Sequence, residues 1–283
     1  MYQLSVQTAD GELLTMTGKE PIYQVTNIVG LNPPKAQINT TAIAGMDGAI
    51  FNSSKLNTRN IVITCKINGD VEKNRLNLYR YFRTKEFVRV YYSNDTLDVY
   101  IDGYVDTVEC GLFAKSETAQ ISIICPYPYF RSVSQKIVDS SHSVGAFTFP
   151  WYINAGAPVV ISTYDSSDAI NAYNETDSTA DAEIEIYLDT DCASVELKNA
   201  STDADFRLDY PFLAGDTIYI SSASKRVTLL RGDERVNLMP YLTIGSRFFR
   251  LAVGNNLIYY LIDGAVSNAA YIVIVYNDNY RGV

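Results

Sequence analysis

One stretch, Asn68–Val90, differs from the strand-like remainder of the chain and reads NGDVEKNRLNLYRYFRTKEFVRV. It holds the clearest helical pattern in the chain, because its apolar side chains recur at the spacing of one helix face. These side chains are Val71, Leu78 and Phe82. Asp70 stands directly before them, and its carboxylate can accept hydrogen bonds from the free amides of a first helical turn. The sequence therefore predicts a helix from Asp70 to Lys85 that packs on a sheet.

Strand-like alternation surrounds this predicted helix on both sides. Before it, residues 57–67 place one set of apolar side chains on a single face of a strand. These are Ile61, Ile63, Cys65 and Ile67. After it come three more alternating stretches, EFVRVYYS, LDVYIDGYVDTVEC and AQISIICPYPYF. Pro126 and Pro128 then force an extended exit that cannot continue a central strand. We predict a first domain, residues 1–131, built of strands, one helix and further strands.

The remainder of the chain carries no helical pattern and is typical of short strands. Alternation is clean through Ile184, Ile186 and Leu188, and polar turns recur roughly every ten residues. An all-β stretch with this spacing favours a β-sandwich or a jelly roll. The sequence thus predicts a mainly β protein of two domains, 1–131 and 132–283, as a length of 283 residues also suggests.

Composition and charge restrict the classes of partner. The chain has 23 basic and 32 acidic residues, which gives a formal net charge of −9. Binding of duplex DNA needs clustered positive charge to replace phosphate counterions, so no direct nucleic-acid partner is expected.

The chain lacks a long uninterrupted apolar run, and its first residues lack the pattern of a secretion signal. We expect a protein that is made in the cytoplasm and does not insert into a membrane.

The cysteines give no sign of a disulfide framework. The four cysteines, Cys65, Cys110, Cys125 and Cys192, lie in strand-like surroundings without a CxxC pair. A free cysteine behaves as a small apolar residue, so we predict reduced cysteines in the strands or the core. A disulfide between Cys110 and Cys125 is the alternative.

The sequence offers no convincing catalytic cluster. The single histidine, His142, lies among serines in DSSHSVGAF, but a triad needs a carboxylate and a nucleophile placed around the base by the fold. No GxSxG elbow is present. Acidic residues are too numerous to single out the two carboxyls of a glycosidase. Trp151 is suited to stacking on a sugar, but its aromatic neighbours favour a place in the core. We predict a surface or linker role for His142 and no enzymatic activity.

Two groups of acidic residues are candidates for a calcium site. The first group is Asp102, Asp106 and Glu109, and the second is Asp165, Asp168, Glu175 and Asp177. Neither has the EF-hand spacing that brings enough oxygen atoms to one ion, which favours solvated loops. A single histidine and scattered cysteines also argue against a transition-metal site. We predict no metal site and no cofactor.

Several motifs, taken in order along the chain, carry a family resemblance. In the first domain they are NIVGLNPPKAQINTT, GMDGAIFNSSKLNTRNIVIT, NGDVEKNRLNLYRYF and ISIICPYPYF. In the second domain they are LAGDTIYISSASKRVTLLRG, NLMPYL, FFRLAVGNN and YNDNYRG. In this order the motifs resemble the distal tail proteins of phages that infect Gram-positive bacteria, and of related phage tail-like particles. The resemblance covers nearly the whole chain.

This resemblance implies a structural role at the virion tail tip. Such proteins form hexameric rings that join the tail tube protein to the tail-associated hub protein. Their N-terminal domain is β-barrel-like with one helix, and their C-terminal domain is a galectin-like β-sandwich that often carries receptor-binding or fibre proteins. For this chain the resemblance implies a homo-hexameric ring with the same partners.

Two features of the first domain are candidates for contact between ring subunits. The stretch from Asn32 to Asn57 is poor in strand formers, which predicts an extended loop. Because it is long for a structureless connection, we predict that it is an arm that reaches an adjacent subunit. The predicted helix also has a basic side, which faces either solvent or an acidic neighbour. The members of this side are Lys73, Arg75, Arg80, Arg83 and Lys85.

Two other functions stay open at this point. A carbohydrate-binding module protein acting at the bacterial cell wall would explain a β-sandwich with exposed aromatic residues, and saccharide binding by the second domain would favour it. A hydrolase would show turnover of a wall polymer that is lost when one acidic residue is replaced. Neither function explains the first domain, which favours the ring.

Overall fold

The chain forms two compact units. The computed structural model describes residues 2–18, 21–111, 117–145, 162–166, 169–263 and 270–283. The first unit is Met1–Ser134 with Asn279–Val283, and the second is Gln135–Asp278. The first unit therefore extends slightly beyond the predicted boundary at residue 131 and also includes the last residues of the chain. Independent folding of the two domains stays a prediction.

Antiparallel strands and one α-helix build the first unit as the structure describes it. The first six strands are β1 Gln3–Thr8, β2 Leu13–Thr15, β3 Tyr23–Val29, β4 Ala36–Ala42, β5 Ala49–Leu56 and β6 Arg59–Ile67. The helix is α1 Val71–Tyr81, and the later strands are β7 Phe87–Ser93, β8 Asp98–Cys110, β9 Thr118–Cys125 and β10 Phe130–Asp139. Seven strands pair side by side in the order β3–β6–β9–β8–β7–β1–β2. The boundary between the units falls within β10, where the sequence predicts an exit without a strand.

Strand β8 bends the sheet around the core of the first unit. Its first half pairs with β7 and its second half with β9. The register shifts between Val105 and Thr107, which marks a β-bulge. At Gly103, a Cβ atom would lie 2.6 Å from Cγ2 of Ile123 and 2.9 Å from Sγ of Cys125, so only glycine permits this close approach. Alternate side chains of the bent sheet then meet in one apolar core.

The helix begins where the sequence predicts and ends earlier. The Asp70 carboxylate accepts a hydrogen bond from the backbone N–H of Lys73 at an N–O distance of 3.4 Å, which makes Asp70 the N-cap. The helix ends at Tyr81 and not at Lys85. Lys85 has a φ of +71°, a left-handed conformation that a right-handed helix cannot contain. Phe82, directly after the helix, is buried in the core.

Replacement of Leu78 by alanine is expected to lower the free energy of unfolding of the first unit by about 3 kcal/mol. Leu78 is fully buried in the core, so truncation leaves a cavity. Leu76 on the same helix is 53% exposed, and Leu76→Ala is expected to change the free energy of unfolding by less than about 0.5 kcal/mol. Urea unfolding followed by circular dichroism compares the two variants. Equal midpoints would contradict the packing of α1.

Antiparallel strands also build the second unit. They are β11 Ser141–Gly145, β12 Ser162–Ser166, β13 Ala169–Asn174, β14 Ala182–Leu188, β15 Cys192–Asn199, β16 Ala204–Phe212, β17 Thr217–Ser221, β18 Arg226–Arg231, β19 Glu234–Asn237, β20 Gly254–Ile262 and β21 Ala270–Tyr280. A short 3-10 helix spans Met239–Tyr241. Within this unit one sheet has the order β19–β18–β17–β14–β21, the other has the order β13–β20–β15–β16, and β11 pairs with β12.

The two larger sheets of the second unit share one core. Ile184 and Ile186 of β14 point inward and alternate with more exposed positions. Ile258 and Tyr260 of β20 do the same in the other sheet. Because all four side chains belong to a single apolar cluster, the unit is a β-sandwich. The predicted fold class is confirmed: the described chain is mainly β, and its one α-helix lies in the first unit.

Candidate assembly surfaces

Residues 36–56 form a hairpin, which we call the arm. Strands β4 and β5 pair from Ala36 with Leu56 to Ala42 with Ala49, and in the described chain they pair only with each other. Two side-chain hydrogen bonds tie the strands together. These bonds run from Asn39 Nδ2 to Ser53 Oγ at 3.0 Å and from Asn52 Nδ2 to Thr41 Oγ1 at 2.6 Å. The stretch is therefore an ordered ribbon, and the expectation of a connection without strands is wrong.

The arm is exposed along its length and is nearly uncharged. Every residue from 35 to 55 is exposed, including Ile38 at 63%, Met46 at 67% and Phe51 at 61%. The arm contains only two charged residues and no proline. A two-stranded ribbon is marginally stable by itself, and natural sheets usually protect open edges with charge, proline or a covering segment. Exposed apolar side chains on an unprotected ribbon indicate a contact surface.

A buried arginine lies at the base of the arm. Arg59 is 3% exposed, and its guanidinium donates hydrogen bonds to four main-chain carbonyls. These carbonyls belong to Gly30, Asn32, Pro128 and Arg281. The N–O distances to Pro128 and Asn32 are both 2.8 Å. The guanidinium carbon also lies 4.6 Å from the ring centroid of Phe130, which adds a cation–π contact.

Arg59 brings together three separate parts of the first unit. Two of its acceptors precede the arm, Arg59 itself follows the arm, and Arg281 belongs to the last residues of the chain. Beside it, the N–H of Val283 donates to the carbonyl of Leu31 at 3.1 Å. Both ends of the arm are thus fixed by one side chain and by the returning chain end.

Arg59 is absent from the predictions made from the sequence, although the sequence contains a signal for it. Arg59 continues the inward face of β6 that also carries Ile61 and Ile63, so a cation occupies a core position of an alternating strand. A buried cation needs several acceptors, and that requirement predicts a polar network at this site. Burial lowers the pKa of Arg59 because desolvation disfavours the charged form, yet a guanidinium starts so high that it stays protonated.

The basic side of α1 is partly neutralised within its own unit. Arg75 forms an ion pair with Glu72, one helical turn away. Arg83 Nη1 lies 3.5 Å from Asp10 Oδ2. Arg83 and Lys85, which the sequence predicts within the helix, both lie beyond its end at Tyr81. These pairs reduce the charge available to another subunit, and contact with an acidic neighbour stays a prediction.

His142 and Trp151 cannot be placed as side chains. The backbone of His142 lies in β11 opposite Asp165 of β12, but its side chain and all of Trp151 fall outside the described residues.

Within the described part of the chain, no three His, Cys, Asp or Glu side chains are grouped to hold a metal ion. The same part contains no helix long and apolar enough to cross a bilayer. The absence of catalytic, metal and cofactor sites stays a prediction.

The acidic residues considered for calcium have separate surroundings. Asp102 Oδ1 lies 2.6 Å from Nε of Arg89, in an ion pair on the sheet of the first unit. Glu175 Oε1 lies 3.4 Å from Nζ of Lys136 in the second unit. The side chains that fall outside the described residues are those of Asp165 and Asp168. The first group lies along β8, so these residues belong to a strand and not to the predicted solvated loop.

The four cysteines are free thiols, so their prediction as reduced residues is confirmed. Cys65, Cys125 and Cys192 are buried. Burial raises the pKa of Cys65 to about 11 and that of Cys125 to about 12, because desolvation disfavours the thiolate. The alternative disulfide between Cys110 and Cys125 is not formed.

Two family models match this chain, one for each unit. The phage tail protein RIFT-related domain matches residues 17–125. The siphovirus-type tail component, C-terminal domain, matches residues 176–280. Together they span most of the chain in the order of the two units. No curated protein matches the sequence.

Solved structures of phage tail proteins share this fold. The Dit protein of phage SPP1, described as a paradigm of the hub adsorption apparatus in phages that infect Gram-positive bacteria, has a TM-score of 0.67 and 15% identity over 98% of this chain and 99% of that chain. A chain of the phage P2 baseplate, in its activated conformation with calcium, has a TM-score of 0.55 and 12% identity over 100% of both chains. A chain of the same baseplate with strontium has a TM-score of 0.51 and 12% identity over 100% of both chains. The shared fold and the two domain matches place this chain in the siphophage distal tail protein family, a family of phage tail components.

Proposed function

We propose that the protein forms a homo-hexameric ring at the virion tail tip and joins the tail tube to the tail-associated hub. The observation that carries the proposal is the exposed and nearly uncharged arm of residues 36–56. The two family matches support the setting in a phage tail. The six-fold number rests on the resemblance of the sequence motifs to distal tail proteins.

The arm supplies a head-to-tail contact in this proposal. An arm that lies on the next subunit joins two different surfaces, so each subunit both gives and receives one contact. Repetition of this contact closes a ring when the rotation between subunits divides a full turn. The open edges of β4 and β5 can add strands to a neighbouring sheet, and Ile38, Met46 and Phe51 supply apolar contacts.

The fixed base of the arm favours assembly. Arg59 and the returning chain end hold both ends of the arm, so less conformational freedom is lost when the arm binds a neighbour. Closure of a ring also requires each arm to leave its subunit in the same direction. A base held by a buried side chain meets that requirement.

The proposed partners are inferred from the position of the ring at the tail tip. The tail tube protein and the tail-associated hub protein contact the ring, and receptor-binding or fibre proteins contact the second unit. The protein is made in the bacterial cytoplasm and acts as a structural part without catalysis, cofactor, direct nucleic-acid contact or membrane insertion.

Negative-stain electron microscopy of the purified protein tests this function. We expect rings of uniform diameter with six subunits, and mass photometry is expected to give six times the mass of one chain. A protein that remains monomeric at all concentrations, also after addition of the tail tube and hub proteins, would refute the proposal.

A further inference from the structure

The outer face of the larger sheet in the second unit carries a polar groove. The groove lies over strands β14, β17 and β18 and has a volume of about 250 Å³. Its polar and aromatic walls are Glu183, Glu185, Tyr219, Ser221, Arg226 and Thr228. This volume falls just below the roughly 300–1,000 Å³ of pockets for drug-sized ligands, and it suits a single small polar ring.

Strand register arranges these side chains in two rows across three strands. The first row is Glu183, Ser221 and Arg226. The second row is Glu185, Tyr219 and Thr228. Each row contains a carboxylate and an aliphatic hydroxyl, while the third member is a guanidinium in the first row and an aromatic ring in the second. Acceptors, donors and an aromatic wall therefore meet on one rigid surface.

Hydrogen bonds hold two further tyrosines beside the groove. Tyr187 donates its hydroxyl to Glu185 Oε2 at 2.6 Å, and this bond raises the pKa of Tyr187 to about 12. The ring of Tyr187 lies 5.8 Å from the ring of Tyr271, whose hydroxyl donates to Asp139 Oδ2 at 3.3 Å. Because these rings are already positioned, little side-chain freedom is lost when a ligand contacts them.

This combination of groups matches the chemistry of a sugar. A sugar ring presents C–H groups on its face and hydroxyls around its edge, so it packs on an aromatic ring while its edge forms hydrogen bonds. Carboxylates and guanidinium groups make stronger bonds to hydroxyls than neutral groups do. Within the described residues, Glu183 and Arg226 form no ion pair or side-chain hydrogen bond with each other or with another residue, so both are open to a ligand.

We propose that this groove binds a neutral saccharide whose ring packs on Tyr219. Glu183 and Glu185 accept hydrogen bonds from its hydroxyls, and Arg226 donates to them. In a longer chain, the adjoining sugar lies against Tyr187 and Tyr271. Polyanionic saccharides are repelled, because the two carboxylates of the groove, Glu183 and Glu185, outnumber its one guanidinium, Arg226. The inference goes beyond the proposed ring and does not depend on it.

Saturation-transfer NMR with the full chain tests this site. The probes are neutral oligosaccharides of glucose, galactose and N-acetylglucosamine, with polygalacturonate as the anionic comparison. We expect transfer to at least one neutral probe, and about tenfold weaker binding by both Tyr219→Ala and Glu185→Gln. Tyr173→Ala removes an exposed tyrosine from the other sheet and is expected to bind as the wild type does.

Three results would overturn the saccharide site. They are the binding of no neutral probe, unchanged binding by both groove variants, and a preference for polygalacturonate. Circular dichroism checks that both variants fold. If Tyr219→Ala does not fold, the binding measured for Glu185→Gln alone tests the site. Mass photometry of the same samples is expected to show unchanged rings, because neither residue lies in the arm. Failure of the saccharide site is thereby distinguished from failure of the proposed assembly.

Discussion

Replacement of residues 36–56 by an Asn-Gly turn is expected to abolish ring formation and to leave the protein folded. Ala36 and Leu56 are a cross-strand pair, so the two ends of the removed arm lie side by side and a two-residue turn can join them. The arm contributes no buried side chain to the core of the first unit, and shortening a surface segment changes stability little. The contact with the neighbouring subunit is lost with the arm.

Sedimentation velocity and thermal unfolding measure the two parts of this result. The variant without the arm is expected to sediment as a monomer and to unfold close to the wild-type temperature. Phe51→Asp puts a charge into the apolar surface of the arm and is expected to weaken assembly, while Tyr241→Asp changes an exposed aromatic residue of the second unit and serves as its control. Rings of normal size without the arm would assign the contact to the sheet edges or to α1.

Replacement of Arg59 by methionine is expected to lower the free energy of unfolding of the first unit by about 4 kcal/mol. Methionine can occupy the path of the aliphatic stem, but it leaves four carbonyls without their donor and removes the contact with Phe130. Arg59→Lys keeps the charge but lacks the planar fork that reaches several acceptors, so a loss of about 2 kcal/mol is expected.

Urea unfolding of the Arg59 variants measures this anchoring. Arg80→Met, which removes an exposed arginine from α1, is the control and is expected to cost less than about 0.5 kcal/mol. In Arg59→Met the amide of Val283 is also expected to exchange faster, because its bond to Leu31 depends on the same base of the arm. If Arg59→Met and Arg80→Met unfold at the same urea concentration, Arg59 does not anchor the arm.

Local signals in the sequence predict the helix well at its start and less well at its end. Asp70 caps the first turn through an interaction between residues three apart, which the sequence displays directly. The end is set at Phe82, whose backbone (φ −110°, ψ 68°) leaves the helical region while its side chain is buried in the core, and a phenylalanine gives no local sign of that change. Alternation likewise identifies the inward faces of the strands, since Ile184 and Ile186 are buried as predicted.

The arm and its base are harder to predict because their contacts are distant in sequence. The arm is rich in alanine, asparagine and threonine and shows no apolar alternation, so its strands are not visible in the sequence. These strands are ordered by pairing with each other and not by burial of one face. The inward position of Arg59 is visible in the alternation of β6, but its partner Arg281 belongs to the opposite end of the chain. No local pattern indicates that residues 279–283 belong to the first unit.

The saccharide groove depends on strand order rather than on any motif. Alternation predicts that Glu185 and Tyr219 point outward, but it does not predict that β14 lies between β17 and β21. Strand β21 pairs with β14 across more than eighty residues of sequence. Only that pairing brings Tyr187 beside Tyr271, so the site is a product of tertiary structure.

Hydrogen exchange of the arm as a function of protein concentration measures if a neighbouring subunit covers the arm in the assembled protein. At concentrations where the protein is monomeric, the amides of β4 and β5 are expected to exchange within seconds, because the ribbon is exposed and marginally stable. In the ring, their exchange is expected to slow by at least about a hundredfold. Rings whose arm amides exchange as fast as those of the monomer would show that the arm is not covered in the assembly.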